Sequence, residues 1–539
     1  MARRMRWDSR HAFLLAAIGS AVGLGNVWRF PFIAHQNGGG AFLIPFFIAM
    51  FTAGIPLLIL EFGLGNLMQS GAPASFAKVG KRWEWLGWFA LLIAFGIVTY
   101  YTVIMGWCFA YLIYSFKLAW GANPQNFFYE CFLGLSSGPA SIGGVRVPVL
   151  LGLLATWVCV FLIIVKGAKS VGKVVLVTVP LPWLCLLILA VRGVTLPGAV
   201  EGLRYYLTPN FGALKNPGVW MAAYSQVFFS FTIGFGVMIA YASYLPKRSD
   251  ISNNALITGV ADSLTAFIAG LVVFSTLGYF AQATGVGVQD VAKSGPGLAF
   301  CTYPATIMLL PFGASIFGVI FFLMLLTLGI DSAFSLVEAA VAGLQDKWKL
   351  SRLKVNSLVC IVAFAIGIFF TTQGGLHWLD IADRYLSDFG LAVVGLVMCF
   401  VVGYVFKAKT LREHVNQVSE VKLGKWWDYF IKILTPYVLI VLIGWTLIER
   451  IRTPYGGYPQ WALFVGGWLV VLIAVEVALL LASKFRAALY VLVVSCFVGV
   501  LFLLESWLAM MIFGFAVLLL GLGYGFYRIM KHQGQSHSP

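Results

Sequence analysis

Charge is scarce in this chain. Of its 539 residues only 10% are Asp, Glu, Lys or Arg, while 60% are apolar; a soluble domain carries about 25% charge. So little charge cannot coat a water-exposed surface, which excludes a soluble enzyme. The formal charge of +16 does not indicate nucleic acid, because the basic residues are scattered among short connections and form no patch. Histidine is sparse as well. His11, His35, His377, His414, His532 and His537 show no metal-ligand spacing, and no Ser/His or paired-Asp arrangement falls within an apolar run, so an intramembrane enzyme has no support. No Asn-x-Ser/Thr acceptor occurs, which points to a prokaryotic origin. The first apolar run is too long for a cleavable signal peptide and lacks a small-residue cleavage site. Six of the eight cysteines (Cys108, Cys159, Cys185, Cys360, Cys399, Cys496) lie in apolar runs and read as small buried hydrophobes. Cys131 and Cys301 fall in outer loops with nothing to pair them.

What is abundant is hydrophobic length. Apolar runs fall near 11–34, 41–68, 86–117, 148–166, 174–193, 218–245, 253–284, 312–343, 355–371, 376–406, 429–450, 460–483, 487–505 and 507–528. Each is long enough to cross a hydrocarbon core of about 30 Å. The chain is therefore an all-α polytopic membrane protein with 12–14 spans. Glu505-Ser506-Trp507 is a tight turn between the last two runs or a polar break in one reentrant piece. Lys and Arg set the orientation. They concentrate at the N-terminus (Arg3, Arg4, Arg6, Arg10) and in alternate connections such as Lys78-Lys81-Arg82, Lys166-Lys169-Lys173 and Lys347-Lys349-Arg352-Lys354. Both termini are cytoplasmic on this reading, loops 118–147, 194–217 and 285–311 are outside, and 407–428 is a solvated cytoplasmic loop with room for a short helix.

Two runs are interrupted. The first contains Gly19-Ser20-Ala21-Val22-Gly23-Leu24-Gly25-Asn26-Val27-Trp28-Arg29-Phe30-Pro31, and the sixth contains Gln226 to Gly236 with Ser230, Thr232 and Gly234. Unpaired backbone groups in hydrocarbon cost several kcal/mol each, so a loosened helix needs a cation at its freed carbonyls and an anion at its freed N–H groups. Small residues in membrane helices also make packing seams, and the first stretch alone does not decide between the two. The second break, five spans later and in the opposite orientation, is the pattern of an inverted-repeat transporter.

These residues resemble the neurotransmitter:sodium symporter family, and in particular its bacterial amino-acid transporters. The matching stretches are Gly19 to Pro31 followed by Asn37-Gly38-Gly39-Gly40-Ala41-Phe42; Gly54-Ile55-Pro56-Leu57 with Glu61; Tyr100-Tyr101; Asn216-Pro217-Gly218-Val219-Trp220; Gln226 to Gly236 followed by Tyr241-Ala242-Ser243-Tyr244; and Thr327-Leu328-Gly329-Ile330-Asp331-Ser332. The resemblance implies a cytoplasmic gate segment at 1–10, a five-helix repeat over 11–193, an outer loop at 194–217, an inverted repeat over 218–406, a cytoplasmic loop at 407–428, two further helices over 429–483 and two additional spans over 484–530. It also implies two sodium sites and no organic cofactor. The first site would use Ala21, Asn26, Ser230 and the residue at 262, together with the substrate carboxylate; the second would use Gly19, Val22, Leu328, Asp331 and Ser332. Both sets offer the oxygens that a hard cation prefers.

Position 262 departs from the family, which often has Asn where this chain has Asp262. The anion site of chloride-coupled relatives is half dismantled: Gln226 and Ser230 remain, but Phe46 and Ala266 stand where Tyr and Ser would be. A fixed carboxylate in place of chloride predicts chloride-independent transport. A further expectation is that Asp262 takes a proton on the return step.

The substrate carboxylate would meet the N–H groups around Leu24-Gly25 and the Tyr101 hydroxyl. The amine would meet Ala21, Phe229, Ser230 and Thr232, and the side chain Ser20, Ile97, Phe229, Phe235, Ser332, Ala333 and Leu336. Amine-transporting relatives carry Asp at the position of Gly23; its absence implies a substrate that brings its own carboxylate. Apolar walls imply a neutral, hydrophobic amino acid, since an unpaired buried charge is costly. Arg29 with Asp383 matches the family's outer gate, and Arg4 with Asp346 its inner gate, backed by Trp7, Gln226, Ser243 and Tyr244. The alternatives are uptake of another small carboxylated solute (a betaine or γ-amino acid), and a sensor or scaffold that keeps the fold without transport. A passive channel should show a repeated pore loop, which is missing. The expected setting is the cell membrane, with a small-molecule partner, the lipid bilayer, no nucleic acid, and a homodimer through the last spans.

Overall fold

The structure, a computed structural model, describes residues 5–285, 287–288 and 295–503. It is helical with no strands among these residues, as an apolar chain in lipid requires: a helix pairs its own backbone groups, and an open sheet edge would not. Ten helices there are long and apolar enough to cross a membrane, and a bent pair makes an eleventh. In chain order the first span is that pair, Arg10–Ala21 with Gly25–Gln36, bent by 47°. The second to fifth spans are Gly40–Met68, Lys81–Ser115, Val147–Ile164 and Ala168–Val194. The sixth is split into Pro217–Ser230 and Val237–Ala242. The seventh to twelfth are Ser252–Thr284, Ala314–Trp348, Arg352–Phe369, Gly375–Val405, Lys425–Glu449 and Gln460–Leu481.

Of the two spans expected beyond 484, a helix covers Phe485–Leu503; the run 507–528 and the Glu505-Ser506-Trp507 turn lie outside the described residues. The connection 407–428 is partly helical, as the sequence allows. It holds the helix Ala408–Val418, whose buried Ala408, Leu411 and Val415 form one face, with Leu411 and Val415 set against Gly63 of the second span. Period-3.6 apolar spacing in a short charged segment produces this surface-lying helix.

Local chemistry fixes where the helices start. Ser9 Oγ accepts from Ala12 N at 3.1 Å, and Asn216 Oδ1 accepts from Gly218 N at 2.9 Å with Pro217 in the first turn. The two broken spans lie at the centre of the bundle. The inner half of the first packs on the fifth, seventh and eighth spans, and the inner half of the sixth packs on the second and eighth. The second span approaches the sixth very closely at Gly65, where a Cβ would stand 2.2 Å from the Ile239 carbonyl oxygen.

Candidate functional site

The first helix stops at Ala21 and resumes at Gly25, with Val22 extended (φ −76°, ψ 104°). The sixth stops at Ser230 and resumes at Val237. Its broken stretch holds three residues in the left-handed region: Thr232 (φ 55°), Gly234 (φ 85°) and Gly236 (φ 73°). Glycine adopts that conformation freely, but threonine does not. Thr232 is held there by its hydroxyl, which donates to the Ser20 carbonyl at 2.9 Å and so ties one break to the other. Gly234 N–H, freed by the unwinding, donates to Glu61 Oε1 at 2.7 Å. Its motif alone gives Glu61 no role of its own. An acid fully buried in a membrane helix is the signal that marked it, and its work here is to satisfy a broken backbone.

Asn26, Ser230 and Asp262 converge. Asn26 Nδ2 donates to Asp262 Oδ1 at 2.9 Å and lies 3.2 Å from Ser230 Oγ; Ser230 Oγ donates to Asp262 Oδ2 at 2.8 Å. All three are almost wholly buried. Asn26 Oδ1 accepts from Gly23 N at 3.0 Å, so the amide spans the break. On the other side of the first helix Asp331 lies beside Gly19, where a Cβ would stand 2.7 Å from Asp331 Oδ2. Asp331 Oδ1 accepts from the Thr178 hydroxyl of the fifth span at 2.7 Å. Thr178 carries no sequence signal, being one threonine in an apolar helix. Leu328 and Ser332 flank Asp331 on the eighth span, and Ser332 Oγ donates to the Ser20 carbonyl at 3.3 Å.

Between these groups lies the space expected to hold the substrate. Leu24 N–H points to the Tyr101 hydroxyl at 3.5 Å. Ser20 Oγ pairs with Ser335 Oγ at 2.8 Å. A Cβ on Gly23 would stand 2.7 Å from Ser332 Oγ and 3.4 Å from the Tyr101 hydroxyl, and one on Gly25 would stand 2.9 Å from Phe229 Cε1. Ala21, Ile97, Phe235, Ala333 and Leu336 are all buried.

The outer closure differs from the expected pair. Arg29 lies 4.2 Å over the Phe229 ring and forms its ion pair with Asp388 at 3.6 Å, not with Asp383. Asp383 accepts instead from Tyr100 at 2.8 Å and Ser387 at 3.2 Å. The two aspartates are five residues apart on the tenth span, where a widened turn over Leu386–Gly390 changes the face that each presents.

On the inner side Arg4 lies outside the described residues. Asp346 accepts from Gly71 N at 2.6 Å. Trp7 Nε1 donates to the Tyr241 carbonyl at 2.9 Å and packs edge-on against Tyr241 and Tyr244. Ser243 Oγ donates to the Ala240 carbonyl at 2.5 Å. Tyr244 donates to Glu338 Oε1 at 2.8 Å, and Glu338 also pairs with Arg352. Gln226 does not join this group. It sits on the outer half-helix one turn before Ser230, across the break from Ser243 and Tyr244, fully buried and with neither amide atom hydrogen-bonded. Glu338 and Arg352 were not anticipated; an acid inside a mostly apolar span was again the available signal.

The sequence profile of the sodium:neurotransmitter symporter family matches residues 4–126 and 120–488. An uncharacterized sodium-dependent transporter of Methanocaldococcus jannaschii is 41% identical over 482 residues, covering 89% of this chain and 98% of that protein. A sodium- and chloride-dependent taurine transporter of Rattus norvegicus is 34% identical over 508 residues, 86% of this chain and 82% of that one. A sodium- and chloride-dependent GABA transporter 2 of the same organism is 34% identical over 510 residues, with coverage of 87% and 84%.

Proposed function

This chain belongs to the sodium:neurotransmitter symporter family, and from that membership we propose that it takes up a neutral, hydrophobic α-amino acid together with sodium, without chloride, by alternating access. It is a sodium-dependent, multi-pass membrane transporter of a small molecule and not an enzyme. The observation that carries the substrate class is the crowding around Gly23. Ser332 and Tyr101 crowd the Cβ position of Gly23, so no acidic side chain stands there to meet a substrate amine, which supports a substrate that brings its own carboxylate. The Leu24 and Gly25 N–H groups and the Tyr101 hydroxyl receive its carboxylate at the positive end of a half-helix. The amine is placed against the carbonyls of Ala21, Phe229 and Ser230 and the Thr232 hydroxyl. Ile97, Phe235, Ala333 and Leu336 give its side chain apolar walls.

Sodium, as co-transported ion, is assigned to two places. Ala21, Asn26, Ser230 and Asp262 hold one, and Gly19, Val22, Leu328, Asp331 and Ser332 the other. Chloride independence rests on Asp262: its carboxylate already accepts from Asn26 and Ser230, Phe46 is packed among Phe30 and Phe42, and Ala266 offers no hydroxyl. A proton on Asp262 replaces sodium on the return step. In the same reading residues 11–193 and 218–406 are inverted repeats, both termini are cytoplasmic in a prokaryotic cell membrane, and the chain forms a homodimer. Arg29 with Asp388 closes the outer path, and Arg4 with Asp346 the inner one.

The second reading is a carboxylated or sulfonated ω-amino solute, favoured by the taurine and GABA relatives. A thermal-shift screen of the purified protein against the twenty amino acids, taurine, GABA and betaine separates the two, run with sodium or choline and with chloride or gluconate. The proposal expects stabilisation by a hydrophobic α-amino acid only with sodium, and equally in gluconate. Stabilisation by taurine or GABA alone, or only in chloride, would overturn it.

A further inference from the structure

The outer carboxylate Asp388 has two cations and not one. Arg384, one turn earlier on the same span, places Nε 2.7 Å from Asp388 Oδ2, while Arg29 of the first span stands 3.6 Å from Oδ1. The Asp388 side chain is 7% exposed, so in this arrangement the two guanidiniums, rather than water, balance its charge. The neighbouring acids are taken. Asp383 is held by Tyr100 and Ser387, and Asp380 accepts from Tyr455 at 2.7 Å and Tyr458 at 3.0 Å. Tyr455 in turn lies 5.2 Å under the Arg384 guanidinium. The connection between the eleventh and twelfth spans thus fixes Arg384 over Asp388 independently of the first span.

We propose that Arg384 is the standing counter-charge of the outer gate: it keeps Asp388 paired when Arg29 withdraws, and so sets how readily the outer path opens. The physical reason is asymmetry. Breaking one side of a buried ion pair strands the other charge without compensation, which disfavours the broken state. Arg384 moves with Asp388 because both belong to one helix, whereas Arg29 does not. With Arg384 present, opening exchanges two partners for one; without it, opening leaves none. The guanidinium also repels that of Arg29, which retains the Phe229 face. Arg384 acts through Asp388 and is a positioning residue. The inference rests on the reading of Arg29–Asp388 as a gate.

The test is the open fraction, measured by pulsed EPR between spin labels at Gln36→Cys and Thr453→Cys, both exposed, in a Cys131→Ser background with sodium and no substrate. Arg384→Gln should lower the long-distance population at least threefold and raise the KM for external substrate, with Arg384→Lys restoring both. In an Asp388→Asn background Arg384→Gln should change nothing. If Arg384→Gln gives aggregated protein, Arg384→Met is read against the same criteria. An unchanged or larger open fraction in Arg384→Gln, while Arg29→Gln increases it, overturns the role of Arg384 and leaves the gate standing. An Arg29→Gln variant that leaves the open fraction unchanged removes the gate itself.

Discussion

Asn26 and Asp262, 236 residues apart in sequence, are joined by a 2.9 Å hydrogen bond from the amide nitrogen to the carboxylate. The amide oxygen at the same time accepts from Gly23. One side chain therefore connects the broken backbone of the first span to a fixed negative charge on the seventh. With Ser230 added, the three spans that meet here can respond to one cation as a unit.

Replacing Asp262 by Asn keeps the shape and removes the charge. Hydrogen bonds to charged groups are worth about 1.5–3 kcal/mol, so sodium-driven uptake at pH 7.5 should fall by roughly 10- to 100-fold. Uptake by proteoliposomes under a sodium gradient measures this. Wild-type uptake that persists in gluconate, together with the loss in Asp262→Asn, is the expected pair of results.

Thr178→Val is nearly isosteric and leaves Asp331 Oδ1 without its 2.7 Å donor. A carboxylate that has lost its orienting partner should bind sodium less well. A net hydrogen-bond value of about 0.5–1.5 kcal/mol corresponds to a sodium activation constant raised roughly 2- to 10-fold, with the maximal rate little altered. A sodium titration of uptake at saturating substrate reads it, and Thr178→Ser should lie close to wild type.

Gly19→Ala adds a Cβ 2.7 Å from both Asp331 Oδ2 and a Val179 methyl. Overpacking of this kind costs about 1–3 kcal/mol. Here it is paid at the expected second sodium site, so sodium-dependent thermal stabilisation should be lost while the sodium-free melting temperature changes by only a few degrees. Gly144→Ala, exposed, outside the left-handed region and with no atom within 4 Å of the added carbon, is the surface control.

His414 lies on the short helix Ala408–Val418, outside the spans, with Nε2 3.0 Å from Asn66 Oδ1. Burial, followed by the nearby Lys247, lowers its pKa below 6.5. The folded protein thus resists a proton that the unfolded chain accepts. Stability from this group is unaffected above pH 6.5 and falls as the pH drops from there towards the folded value. The melting temperature in detergent should decline between pH 7 and 5.5, and less steeply in His414→Gln.

Much of this was legible in the linear chain because lipid forbids unsatisfied backbone. Scarce charge and long apolar runs determined a polytopic helical protein. Glycines and hydroxyl residues at two mid-membrane positions determined where the helices break. Asn26, Asp262 and Asp331 stood out as polar groups in hydrocarbon, whose cost makes them conspicuous. What tertiary structure decided was partnership. Asp383 and Asp388 sit on one span with the same chemistry, and only the turn geometry between them gives Arg29 to Asp388. Gln226 belongs to the outer half-helix, because the break separates it from Tyr244. Thr178 was invisible until the fifth span was set against the eighth, and Arg384 was one more basic residue until Tyr455 held it over a buried carboxylate. A side chain's identity fixes what it can bond to; which group comes within 3 Å depends on how the helices cross, and no spacing along the chain encodes that.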